Sequence, residues 1–243
     1  QGLIRQIEYD SKAQAADITA FENALQRSYG YSRIAVEYVT PVSFERKIVV
    51  KRIPNPDTVL FDPDCKEADC SDAAYCYVVD VLRWKDFKRK YPKAQTVSFS
   101  TDDMKAAPSW VKPDSIQVAE YWKIENKKRK LLLMPLEAMK HMKEPPAHAP
   151  DILTFHKDGQ DYPAMAVYED ELTPKHGLEP FEDRDTEERI VHQYITNGIE
   201  IMEEHDIAGS YIRIVPCFGK EIFTEDASGS KRHLISLVRL ARD

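Results

Sequence analysis

The sequence predicts an α+β fold: a long N-terminal helix followed by mostly antiparallel β-hairpins with short helices. Three observations carry that expectation. Apolar residues at Leu3, Ile7, Ala15, Ile18, Phe21 and Leu25 recur at three- and four-residue intervals, which is helical spacing. Most of the remaining apolar runs alternate with polar residues, which is the period of a half-buried strand. No repeat of fixed period appears.

The helical segment covers about Leu3 to Arg27 without an internal Pro or Gly, and Gly30 reads as its left-handed C-terminal cap. Tyr31 to Val39 alternates and is rich in aromatic and β-branched residues, with Lys47 to Ile53 as its hairpin partner across Pro41 and Ser43. A loop follows from Asn55 to Asp72. Tyr75 to Leu82 reads as a third strand, and Trp84 to Tyr91 as a short basic helix stopped by Pro92. Ile116 to Ile124 alternates again; Glu125-Asn126-Lys127-Lys128 is then expected to turn the chain so that Arg129 to Met134 returns as a second hairpin arm.

Prolines at 145, 146, 150, 163, 174 and 180 mark a change of character, read as a long irregular excursion. Asn197-Gly198 between two alternating runs is a strong hairpin signal. Tyr211 to Gly219 reads as a strand leading to Glu221-Ile222-Phe223, and Lys231 to Arg242 has helical spacing. The expected organisation is therefore residues 1–143 as a helix plus antiparallel core, 144–185 as a proline-rich excursion or insertion, and 186–243 as a β-hairpin returning to the core and the start of a C-terminal helix.

The chain has 243 residues, 42% of them hydrophobic, enough to bury a substantial core. Lys and Arg number 34 against 41 acidic residues, for a formal charge of −7, which argues against tight wrapping of nucleic acid. No apolar run approaches the ~18 residues a spanning helix needs. The first residues lack the basic and apolar regions of a signal peptide. Both ends fall within periodic segments, so the chain is expected to be an internal fragment of something longer.

Chemistry-bearing patterns are few. Cys65, Cys70 and Cys76 lack the paired Cys-x-x-Cys clamps of a zinc site; the spacing permits a Cys65–Cys70 disulfide, while a cytosolic context favours reduced thiols. The acidic loop from Asp62 to Asp72 is the densest polar cluster. Its carboxylates at 62, 64, 69 and 72 raise the alternative of a divalent-metal-dependent hydrolase or nuclease, since hard cations want converging carboxylates. The EF-hand glycine and closing glutamate are missing, and turn chemistry alone explains these residue types. The histidines at 141, 148, 156, 176, 192, 205 and 233 show no metal-binding or general-base arrangement. No catalytic, cofactor-binding or metal site is assigned. Lys127-Lys128-Arg129-Lys130 is the candidate contact to DNA phosphates or an acidic partner, set against the plainer role of guarding a hairpin edge. Lys85, Lys88, Arg89 and Lys90 read as the wet face of their helix. The aromatic sets Tyr75, Tyr77 and Tyr121, Trp122 are assigned to packing.

Read in order, several segments resemble the portal proteins of short-tailed phages and their prophage relatives, of the Salmonella-phage-like type. They are Ser28-Tyr29-Gly30-Tyr31 with Ile34 to Val39, Ile48 to Pro56, Phe61-Asp62-Pro63-Asp64 and Ser71-Asp72-Ala73, then Phe87 to Pro92, Val118 to Trp122, and Ala208 to Pro216 with Phe218-Gly219. The resemblance spans about Ser28 to Gly219, apart from the proline-rich stretch. It implies a non-enzymatic structural subunit, here its wing and nearby core, of a homo-oligomeric ring, usually a dodecamer. Such a ring sits at one capsid vertex of the virion and assembles in the host cytoplasm. It passes double-stranded DNA non-specifically through a channel, docks terminase and head–tail adaptor proteins, and meets capsid and scaffold proteins, with no membrane involved. ATP hydrolysis belongs to the terminase, no cofactor is implied, and the acidic loop becomes a recurring structural turn.

Overall fold

A computed structural model describes residues 2–94, 110–143, 152–157, 159–173, 178–226 and 229–242. The chain divides into two compact units: Gln1–Glu125 with Val191–Asp243, and Asn126–Ile190. Helices are few and short, and every strand pairing with a defined register is antiparallel.

In the first unit the expected single long helix does not form. Two helices do, α1 (Gly2–Ser11) and α2 (Ala13–Arg27), separated by Lys12 in the left-handed conformation (φ 53°, ψ 44°). The apolar spacing reports which residues share a face and carries no information about a one-residue backbone break. α1 buries none of its residues. α2 buries Ala13, Ala16, Ala20 and Ala24, a stripe at helical spacing whose small side chains let another backbone come close.

That backbone belongs to β1 (Tyr29–Tyr38). A Cβ built on Gly30 would lie 1.9 Å from the Ala20 carbonyl oxygen, so only glycine fits. Gly30 is thus a packing residue inside the strand. The left-handed cap expected of it is supplied by Ser28 (φ 80°), whose amide donates to the Ala24 carbonyl at 3.0 Å. β1 is the central strand of a three-stranded sheet, between β2 (Arg46–Arg52) and a later strand, β10 (Ile214–Phe218).

After a one-turn 3₁₀ segment, β3 (Val59–Phe61) pairs with β4 (Tyr75–Arg83), which leads into α3 (Trp84–Lys90). β4 pairs with the first part of β5 (Ser115–Pro135) from Tyr75↔Lys123 to Arg83↔Ser115. The main core of this unit gathers Tyr31, Ile53, Val59, Cys76, Trp122, Val191 and Ile214. A second cluster of Phe87, Tyr91, Ile116 and Val118 seats α3, leaving Lys85, Lys88 and Arg89 exposed.

β5 overturns the expected hairpin at residues 125–128. The chain does not turn there; one strand of 21 residues runs on, and its later part, Leu131 to Pro135, pairs with β7 (Gln160–Tyr168) in the second unit. The segment lacks the glycine of a strong two-residue turn, and the basic residues Lys127, Arg129 and Lys130 meet carboxylates of the same unit instead of standing at a solvated tip.

β6 (Leu153–Lys157) and β7 form a hairpin across Gly159 (φ 75°). The stretch read as an irregular excursion is therefore partly regular sheet, and Leu132, Met134, Met165, Val167 and Leu172 form its core. The prolines had masked the alternation; Pro163 sits within β7 opposite Thr154. Residues 144–151, which include Pro145, Pro146, His148 and Pro150, and residues 174–177, which include Pro174 and His176, lie outside the described residues.

β8 (Glu182–Thr196) and β9 (Ile201–Ile207) pair across Asn197-Gly198, as the sequence predicts. Asn197 is fully buried, and its side-chain oxygen accepts from the amides of Ile199 (3.1 Å) and Glu200 (3.0 Å). β11 (Lys220–Asp226) and β12 (Gly229–Ile235) make a final hairpin. Lys231 to Ile235 is thus strand, and only α4 (Leu237–Arg242) is helical, begun by the Ser236 hydroxyl accepting from the Arg239 amide.

Gly30→Ala is expected to destabilise the protein by about 3 kcal/mol, because the clash is with backbone that no rotamer change relieves. Urea unfolding followed by circular dichroism measures this, and Gly2→Ala, where no atom lies within 4 Å, is the neutral control.

Candidate functional site

The acidic loop is stitched to its own backbone. Asp62 accepts from the amides of Asp64 (3.0 Å) and Ala74 (2.8 Å), and Asp72 from those of Lys66 (2.7 Å) and Glu67 (3.2 Å). Asp69 accepts from the Ser71 amide at 3.0 Å. Carboxylates used in this way close turns. Among the described residues no group of three or more His, Cys, Asp or Glu side chains could hold a metal ion. The alternative of a metal-dependent hydrolase using Asp62, Asp64, Asp69 and Asp72 therefore finds no support.

Cys65 and Cys70 are joined in a disulfide, where a reduced pair was favoured from compartment alone. A turn in which the Cys70 amide donates to the Glu67 carbonyl brings the two together, with Cys70 at φ 50°. Cys76 is a buried free thiol pushed well above its ordinary pKa by burial. Arg232, from β12, donates to the Glu67 carbonyl (3.3 Å) and stacks 4.3 Å from the Phe218 ring centre. This tie, between residues 165 positions apart, left no local trace in the sequence.

The basic run Lys127 to Lys130 lies within the second unit, on β5. Arg129 is its centre, with only 10% of its side chain exposed. It donates to Asp170, to Glu171 at 2.9 Å and to Glu188 at 2.6 Å, and lies 3.7 Å over the Tyr168 ring. Burial works against its charge, but the hydrogen bonds it donates to the three carboxylates outweigh this and raise its pKa further. Lys130 pairs with Asp183 at 2.9 Å and Lys127 with Asp170 at 3.8 Å. Lys128 has no ion-pair partner among the described residues. Three of the four candidate contacts are thus engaged within the protein.

Two features escaped the sequence reading. Arg33 of β1 pairs with Glu120 of β5, which also accepts from the Gln193 side chain of β8 at 2.5 Å. The aromatics assigned to packing divide: Trp122 is buried, whereas Tyr77 and Tyr121 stack on the other sheet face in a row that Tyr194 continues. The alternation Tyr75-x-Tyr77 and Tyr121-x-Lys123 carried that signal, but the partner strand cannot be read locally.

Replacing Arg129 with Met leaves three carboxylates facing one another; with those partners a third to a half exposed, the expected loss is about 2 kcal/mol, read by thermal denaturation. Arg129→Lys does not restore it, since an ammonium cannot reproduce the fork. A second outcome concerns acid. Burial of Asp72 works upward, yet the Lys66 and Glu67 amides pull its pKa below the ordinary 3.8. A depressed group contributes stability that is complete above its unfolded value and lost as pH falls through its folded one. Asp72→Asn is therefore expected to lower stability at neutral pH and to flatten its decline below about pH 4, measured by urea titrations from pH 6 to 2.5.

Among the described residues no helix is long and apolar enough to cross a membrane. The family model described as "Phage P22-like portal protein" matches residues 1–243. A curated relative, the "Portal protein" of Acyrthosiphon pisum secondary endosymbiont phage 1, is 24% identical over 238 residues. The match takes in 96% of this chain but only 31% of that relative's length. With a family model covering every residue of the chain, the protein belongs to the phage P22-like portal protein family.

Proposed function

We propose that this chain is part of a structural portal subunit: a protein that assembles with copies of itself into a ring at a capsid vertex. The observation that carries this reading is the family match across all 243 residues. In this reading the full-length protein forms a dodecameric ring around a channel for double-stranded DNA. It docks terminase and head–tail adaptor proteins, contacts capsid and scaffold proteins, and resides in the virion after assembly in the host cytoplasm. It is non-enzymatic, with catalysis left to the terminase. Residues 1–143 and 186–243 supply the wing-like core, and 144–185 a segment for contact with neighbouring subunits or terminase. Loops carried on a folded scaffold commonly serve such binding, and β6 and β7 are the scaffold within this segment.

The net charge of −7 suits a channel protein that lets DNA slide without holding it. Of the four basic candidates, Lys128 is the one we assign to phosphate contact, because the charges of Lys127, Arg129 and Lys130 are already met by Asp170, Glu171, Glu188 and Asp183.

Electron microscopy of the full-length protein at high concentration is expected to show closed rings with a hole wide enough for duplex DNA, and native mass spectrometry a mass of about twelve subunits. A strictly monomeric protein contradicts the reading. In the same preparation Lys128→Ala is expected to leave the rings intact while weakening salt-dependent DNA retention; unchanged retention removes the assignment of Lys128 alone.

A further inference from the structure

The sheet made by β4, β5, β8 and β9 in the first unit has two chemically different faces. One face buries Cys76, Trp122 and Val191 in the core. Residues one position along point the other way, because side chains alternate across a strand. There Tyr77 pairs with Tyr121 across β4 and β5, their rings stacked 4.4 Å apart, and Tyr121 stacks on Tyr194 of β8 at 6.0 Å. His192 continues the row, 6.1 Å from Tyr194. All four rings are half-buried, in contact with each other and with solvent. Leu60 of β3, opposite Tyr77, is 56% exposed at the edge of the row.

The border of this row is acidic. Glu204 of β9 lies opposite Tyr194, and Asp206 opposite His192, with Asp206 Oδ1 2.7 Å from His192 Nδ1. Glu125 lies 3.9 Å from His192 on its other side. Lys123, near Glu125, is 3.6 Å from it and so already neutralised. Burial and the neighbouring carboxylate of Glu204 push the Tyr194 hydroxyl above its ordinary pKa, which marks the negative field at that end.

Tyr77 and Tyr121 cover one another's faces, but at the 6.0 and 6.1 Å steps from Tyr121 to Tyr194 and on to His192 the rings leave part of their π faces uncovered, and such faces edged by carboxylates attract a flat cation. Guanidinium stacks on an aromatic face and pairs with a carboxylate in one geometry, which an ammonium cannot match. We infer that this face is a docking surface for an extended polypeptide segment carrying arginine side chains. The tyrosine row takes the guanidinium planes, and Glu204 and Asp206 take the charge. The inference rests on the first unit alone and does not depend on ring formation.

The test uses the full-length protein and two fluorescent peptides of alternating glycine with arginine or with lysine. Anisotropy titrations at moderate salt are expected to give the arginine peptide about fivefold tighter binding, the size of a small number of solvent-facing cation–π contacts. Tyr77→Leu with Tyr194→Leu keeps every charge and is expected to abolish that preference, while Phe at both positions retains it. Glu204→Gln with Asp206→Asn weakens both peptides together. In the unaltered protein, tyrosine ring NMR signals are expected to shift with the arginine peptide and not with the lysine peptide, so the inference stands or falls even if the Leu variant does not fold. Equal affinities for the two peptides, a preference that survives loss of both rings, or ring signals that stay still each overturn it.

Discussion

The contact of α2 with β1 brings two backbones to within the reach of a single missing methyl group, and the first unit is arranged around it. The alanine stripe at residues 13, 16, 20 and 24 gives the helix a flat side, and Gly30 gives the strand a matching gap. Because β1 is held there, its two neighbours are placed as well: β2 from Ser32↔Arg52 onward and β10 from Tyr29↔Phe218 onward. β10 draws the end of the chain back to the start. The Gly219 amide donates to the Ser28 carbonyl at 2.8 Å, and the Ser236 hydroxyl to the Leu25 carbonyl at 2.9 Å. Close packing of this kind tolerates no extra volume.

Local chemistry made a good part of this legible. Alternation marked β1, β2, β4 and the early part of β5, Asn197-Gly198 marked the β8–β9 hairpin, and Pro92 marked the end of α3. The misreadings share one cause, since each was decided by partners distant in the chain. Gly30 reads as a cap until Ala20 is seen above it. Residues 125–128 read as a turn until Asp170, Glu188 and Asp183 are seen to absorb the charges that follow. The tail at 231–235 has helical spacing, yet pairing with β11 overrides it. Of the candidate sites, the acidic loop was recognisable as turn chemistry, whereas the tyrosine row was not, because its members come from three strands.

Charge is used in two ways in this protein. In the second unit it is internal: Arg129 satisfies three carboxylates from two places in the chain, so a strand dense in basic residues remains compact. In the first unit Arg33 and Glu120 form a part-buried pair, while at the surface carboxylates edge an aromatic row. A subunit that assembles as proposed needs both, a rigid body and faces with a chemical preference. The family supplies the expectation of assembly, and residue geometry supplies the candidates for its surfaces.

The uninterrupted strand β5 has a consequence for how this chain can change over time. Side chains along it alternate faces with period two, and it is paired with β4 in its first part and with β7 in its last. A one-residue insertion or deletion between these parts leaves no loop to absorb it. Either a β-bulge takes up the change, or the pairing on one side slips and exchanges Trp122 on one end or Met134 on the other, both of which are buried, for a neighbour. A bulge costs ladder hydrogen bonds and bends the strand, so this stretch resists a change of length more than an unpaired loop does. Related sequences should therefore vary here by substitution and keep the count of residues from Ser115 to Pro135.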